Sequence, residues 1–243
     1  MSNPVASRQR GFTLIELMIV IAIIAIIAAI AIPGLLSSVR AANERSAATS
    51  LKTLTSAQAD FRANDRDWNH VNDFWTADVK GLYTMSSAAV SGSTNSTTDP
   101  AIKLIELSLA SADSDGTRAG PVDNCDLSAF AVPSAKAGYW YQAMVVDQTL
   151  NGTAEMTYKV DTGGTPLMGT CHNTSKFGFL AYPDSQSAGK YVFIVNENNT
   201  IFRSATSGAV RTGTASPPGV LTTTAYADWP NDTTLKSFWS KLD

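Results

Sequence analysis

The chain has 243 residues, a formal charge of −3, and 16% charged against 44% hydrophobic residues, with two cysteines and two histidines. The charged share lies below the roughly 25% usual for globular domains, and the deficit falls in one apolar run and in Ser/Thr/Gly-rich stretches. Without a basic patch or interleaved aromatics there is no sign of a nucleic-acid partner, and two histidines are too few for a His-rich zinc site.

Met1 to Gly11 is short and polar, with Arg8 and Arg10 just ahead of an aliphatic run. Leu17 to Leu36 carries no charged side chain, and only Pro33 and Gly34 interrupt it. About 20 apolar residues rising 1.5 Å each match a hydrocarbon core of roughly 30 Å. A secretory signal peptide would be shorter, with an apolar region of roughly 7–15 residues and a small-residue cleavage site. A buried globular helix with this all-round apolar surface would need a large enclosing core. The run therefore reads as a membrane span. The two arginines favour a cytoplasmic N-terminus and translocation of everything after Leu36. Glu16 stands in the apolar helix, four residues after Phe12. An ionisable residue in a span is a functional candidate whose partner has to be found; a position at the interface, with snorkelling, is the alternative.

The stretch Arg10-Gly11-Phe12-Thr13-Leu14-Ile15-Glu16 resembles the processing site of type IV prepilins and pseudopilins. The resemblance implies that a membrane peptidase cuts between Gly11 and Phe12 on the cytoplasmic side and that the new Phe12 amine is N-methylated. It also implies that Glu16 meets the Phe12 amine of a neighbouring subunit, and that Pro33 falls where many members carry a kinking proline. Its motifs cover about the first quarter of the chain.

Helical character is expected to continue beyond the span. Ala41 to Ala48 is rich in good helix formers. Ala47, Leu51, Leu54, Ala57 and Phe61 then recur at steps of four, three, three and four, the stripe of an amphipathic helix against a packed partner. Lys52, Ser56 and Asp60 fall off that stripe. One helix from Phe12 to about Asn64, roughly 75–80 Å long, follows, with a kink at Pro33 where a backbone donor is missing.

Asp65, Asp67, Asn69 and Asp73 then follow the first half of a calcium loop, D-x-D-x-N-x-x-x-D. His70 replaces the turn glycine and Thr76 stands where a bidentate glutamate would close the site. A polar connection in which Asp and Asn cap and turn is the favoured alternative. Trp68, Phe74, Trp75 and Tyr83 read as loop anchors against the helix.

Residues 91–100 are loop by composition, and Ile102 to Ala110 reads as a short helix or buried turn. Strands are predicted at Gly138 to Val146, Met156 to Val160 and Phe177 to Tyr182, and a hairpin at Tyr191 to Val195 and Thr200 to Arg203 across Asn196 to Asn199. One long helix followed by several strands gives an α+β fold with an antiparallel sheet, as in the type IV pilins the N-terminus resembles. The tail from Ala205 to Thr224 reads as loop, with Trp229, Phe238 and Trp239 available to dock it. The expected organisation is a leader over 1–11, a membrane and filament-core helix over 12–36, the amphipathic half of the helix over 37–64, and a head over 65–243.

Cys125 and Cys171 lie in the exported head, where an even count favours one disulfide; free buried thiols are the alternative. No G-x-S-x-G elbow, P-loop or H-E-x-x-H is present, so no catalytic constellation or cofactor is expected. The tripeptides Asn151-Gly152-Thr153 and Asn173-Thr174-Ser175 match glycosylation acceptors only formally. The resemblance implies a prepilin assembled into a surface filament for adhesion, motility or DNA uptake; a periplasmic pseudopilin of a type II secretion machine is the alternative. The partners implied are identical or related pilin subunits, a prepilin peptidase, inner-membrane assembly machinery and, before assembly, membrane lipid.

Overall fold

A computed structural model describes residues 11–66, 71–84, 103–114, 132–144, 146–147, 156–158, 172–206 and 228–242 of the chain. In chain order the elements are α1 (Leu14–Asn64), β1 (Phe74–Trp75), α2 (Gly81–Thr84), α3 (Leu107–Ala110), β2 (Tyr139–Ala143), β3 (Val146–Asp147), β4 (Met156–Thr157), β5 (His172–Asn173), β6 (Gly178–Pro183), β7 (Tyr191–Asn196), β8 (Ile201–Ala205), α4 (Asp232–Phe238) and β9 (Ser240–Leu242). The chain divides into two compact units, Met1–Val39 and Arg40–Asp243, and α1 contributes to both.

In the first unit the helix is continuous through Pro33, whose ring removes the amide that would pair with the Ala29 carbonyl. Its aliphatic side chains from Leu14 to Val39 are largely exposed, and none of its most apolar window is buried. Exposing so many isoleucines to water would cost about 25 cal/mol per Å² of apolar surface, so this segment is built for a non-aqueous neighbour.

In the second unit the expected stripe is present. Ala47, Leu51, Leu54, Ala57 and Phe61 are buried, with Ser50, Thr55 and Gln58 between them. Lys52 and Ser56 are exposed, whereas Asp60 is half-buried because Arg66 chelates it, Nη2 to Oδ2 at 2.8 Å and Nε to Oδ2 at 3.1 Å. Asp65 ends the helix in the left-handed region, φ 45°, and the Arg66 amide donates to the Phe61 carbonyl at 3.3 Å. That is a Schellman closure with aspartate in the place glycine usually takes. Gln58 does unusual work for a helix residue. Fully buried, it accepts from the Trp75 amide at 2.9 Å and donates to the Trp75 carbonyl, so a side chain serves β1 as a strand would.

The main sheet is five-stranded and antiparallel, in the order β2-β6-β7-β8-β9. Alternate residues point to two different cores. Tyr139, Tyr141, Ala143, Phe179, Ala181, Phe193, Val195 and Ile201 pack with α1. Leu180, Val192 and Ile194 pack the other way, with Met144, Tyr158, Trp229 and Trp239, while Tyr182, Phe202 and Leu235 border that cluster. Burial on both faces explains why β7 is apolar without alternation. The β6–β7 connection is tied to α1: Arg40 Nε donates to the Ser187 carbonyl (3.3 Å), Asn43 Nδ2 to the Ala188 carbonyl (3.0 Å), and Glu44 Oε1 accepts from the Lys190 amide (2.9 Å). Gly189 in that turn lies against the Tyr139 ring, where a Cβ has no room.

The predicted α+β architecture and the β7–β8 hairpin are present, with Asn199 at φ 54° in its connection. Several expectations are corrected. The run from Gly138 to Val146 is divided into β2 and β3, although the Met144 amide still donates to the Gly178 carbonyl at 2.9 Å and its side chain enters the second core. The predicted strand at Met156 is two residues long among the described ones and pairs with β3 in a separate ribbon. The short helix or buried turn expected within Ile102 to Ala110 is present as α3, with Ile105, Leu109 and Ala110 buried; Ile102 lies outside the described residues. Trp229 and Trp239 dock as expected, but Phe238 is exposed, because α4 presents it to solvent. Helix α4 and strand β9 were not legible beforehand; Asn231 caps the helix, its side chain accepting from the Thr234 amide at 2.8 Å.

Candidate functional site

Gly11, Phe12 and Thr13 precede the helix, and α1 begins at Leu14. Its first turn is a complete capping box. The Glu16 amide donates to Thr13 Oγ1 at 3.2 Å, and Glu16 Oε2 accepts both the Thr13 amide at 2.9 Å and the Thr13 hydroxyl at 2.8 Å. Two orphan amides of the helix start are thereby satisfied, and a negative charge sits at the positive end of the helix dipole. Thr-x-x-Glu ahead of an apolar run is the sequence signature of this box, so Thr13 was available to sequence reasoning and was missed. Glu16 thus has an intramolecular job, performed by one carboxylate oxygen. The box lies wholly on the Phe12 side of the Gly11–Phe12 bond.

Phe12 is 90% exposed, and a Cβ on Gly11 would meet nothing within 4 Å. Among the described residues, therefore, nothing demands glycine at position 11. Leader residues Met1 to Arg10 lie outside the described residues.

Of the four calcium candidates, Asp67 and Asn69 lie outside the described residues. Asp65 closes α1, and Asp73 is fully buried just ahead of β1. Thr76, at the position of the missing glutamate, donates its hydroxyl to the Tyr158 carbonyl at 3.0 Å. Among the described residues no group of three or more His, Cys, Asp or Glu side chains converges on one point. Cys125 and Cys171 both lie outside the described residues. Asn173 is buried, and its Oδ1 accepts from the Ser175 and Lys176 amides, so it serves a turn.

Buried polar groups in the head tie segments together. Asp113 Oδ2 accepts the Val79 and Lys80 amides at 2.9 Å each, and Asp78 Oδ1 accepts the Gly81 amide at 2.7 Å. Lys176 Nζ meets Asp147 Oδ2 at 2.6 Å. Burial holds the Glu197 carboxyl above its ordinary range, with Asp147 adding to the rise and Lys176 opposing it. Burial likewise pushes the Tyr141 phenol up to about 12.

Residues 6–32 match the family model of the prokaryotic N-terminal methylation motif. The chain is 36% identical to the type IV major pilin protein PilA of Myxococcus xanthus (strain DK1622) over 149 residues, 59% of this chain and 67% of that protein. No solved structure matches the chain. A methylation motif on an unburied apolar helix start, an antiparallel sheet packed on the second half of that helix, and identity across most of a known pilin converge: the chain belongs to the type IV pilin family, whose members are structural subunits and not enzymes.

Proposed function

We propose that this chain is a prepilin, cut between Gly11 and Phe12, N-methylated on Phe12, and assembled into a type IV pilus on the cell surface. The observation that carries the reading is the bare apolar face of α1 from Leu14 to Val39, which the protein itself leaves uncovered. Before assembly a bilayer covers it, with Arg8 and Arg10 keeping the N-terminus cytoplasmic and the head outside. After assembly the same helices of neighbouring subunits cover it, and Glu16 receives a neighbour's Phe12 amine. The name of the Myxococcus relative, a major pilin, supports a pilus over a pseudopilus.

Electron microscopy of filaments sheared from cells, with mass spectrometry of their N-terminal peptide, tests the reading. The expected result is surface filaments containing this chain and beginning at N-methylated Phe12. Gly11→Val should leave the fold intact, since the site is open, and yet block processing. Filaments built from subunits with an intact Met1 leader would refute the processing step, and a chain confined to the periplasm would favour the pseudopilus.

A calcium site at Asp65, Asp67, Asn69 and Asp73 is a minor part of the proposal. Millimolar calcium should then raise the melting temperature of the full chain relative to chelator, and identical curves would mean a plain polar loop.

A further inference from the structure

At the C-terminal end of α1, on the face of the sheet that α1 covers, Arg62, Asn72, Phe74, Phe177 and Glu197 line an open pocket of about 370 Å³. Its floor is an edge-on pair, Phe74 and Phe177, with centroids 4.9 Å apart. The Arg62 guanidinium lies 4.8 Å from the Phe74 centroid and forms no ion pair among the described residues. Glu197 adds one half-buried carboxyl to the same lining. An aromatic floor with one cation and one anion suits an aromatic side chain flanked by charges of both signs.

The same chain carries such a side chain. Outside the segment from Phe12 to Val39, Val132 and Phe238 are the large hydrophobics exposed among the described residues, and of the two only Phe238 is aromatic, at 57% exposure. It closes α4, a helix with no buried residue, which also presents Asp232 and Lys236, and Lys241 follows in β9. Leu235 and Trp239 anchor this region to the second core, on the sheet face opposite α1. Knob and pocket thus lie on opposite faces of one unit, so a contact between them cannot be self-complementary. It is heterologous and repeats from copy to copy.

We propose that Phe238 of one subunit inserts into the Arg62–Phe74–Phe177–Glu197 pocket of another, with Asp232 facing Arg62 and Lys241 facing Glu197. This rests on the filament reading above and adds a head-to-head contact to the packing of the apolar helices.

The test is photo-cross-linking in filaments of the full chain with p-benzoylphenylalanine at position 238. Irradiation should give a covalent dimer whose adduct peptide contains Arg62 or Phe74. Arg62→Glu should lower the dimer yield at least roughly tenfold, as loss of a central anchor contact does. Phe238→Asp should reduce sheared filament yield by a similar factor while processed subunit stays at its normal level, and Phe238→Tyr should retain it. Adducts elsewhere, or Phe238→Asp filaments at normal yield, overturn the contact but leave the filament reading standing. Absence of this chain from filaments of unmodified cells ends both.

Discussion

Glu16 is asked to do two things at one helix start. Within its own chain it accepts the Thr13 amide and hydroxyl; in a filament it would face a neighbour's Phe12 amine. Two unit charges about 4 Å apart gain roughly 4 kcal/mol at an effective dielectric near 20, part of it offset by desolvation. Glu16→Gln separates the roles, because the amide keeps the capping geometry and loses the charge. Both Glu16→Val and Glu16→Gln should be inserted and processed and should yield few or no filaments; wild-type filament numbers from Glu16→Gln would show that capping alone matters. Glu197 makes a second prediction. Its folded pKa lies above the ordinary glutamate value, so its contribution to stability is fully present at pH below that ordinary value and is lost as pH rises through the folded pKa. At neutral pH the half-buried ionised carboxylate is a cost. Glu197→Gln should therefore melt higher than wild type at pH 7, with the gap closing as pH falls toward 4; a gap that does not change with pH would rule out this titration.

At the scale of elements, the helix stripe from Ala47 to Phe61 was readable because its 3.6-residue period is local. The role of Gln58 was not, since its partner Trp75 lies beyond the helix end and only the packing brings them together. Gln58→Leu keeps the volume but strips the Trp75 amide and carbonyl of these bonds, and a loss of about 1–3 kcal/mol is expected. Chemical denaturation of the detergent-solubilised chain measures it, and a loss under about 0.5 kcal/mol, typical of an inert surface change, would show that water replaces the side chain. Strand β9 was missed for a related reason. Ser240, Lys241 and Leu242 show no apolar alternation, and they form a strand because β8 offers an open edge, pairing Phe202 with Lys241. Phe238 misled for the opposite reason: aromatic identity suggested docking, while α4 turns it outward.

At the scale of the whole molecule, the proposed export of the head would place Cys125 and Cys171 in an oxidising compartment, where a single disulfide between them is expected. Closing a loop of nearly 50 residues would stabilise by roughly 4 kcal/mol in the chain-entropy model. Unreduced, denatured protein from the native compartment should take up no thiol reagent; two alkylated cysteines would refute the pairing. What the sequence determined by itself is what depends on neighbours in the chain: the apolar run, the Thr13–Glu16 box, the processing motif and the helical stripe. These follow from backbone periodicity and local hydrogen bonding, which a few consecutive residues set on their own. Tertiary structure alone decided which faces of the sheet meet which core, that a C-terminal strand completes it, and that Arg62, Phe74, Phe177 and Glu197 share one pocket. Those residues are separated by up to more than a hundred positions, and they meet only because antiparallel register and two-sided burial are solved for the whole unit at once.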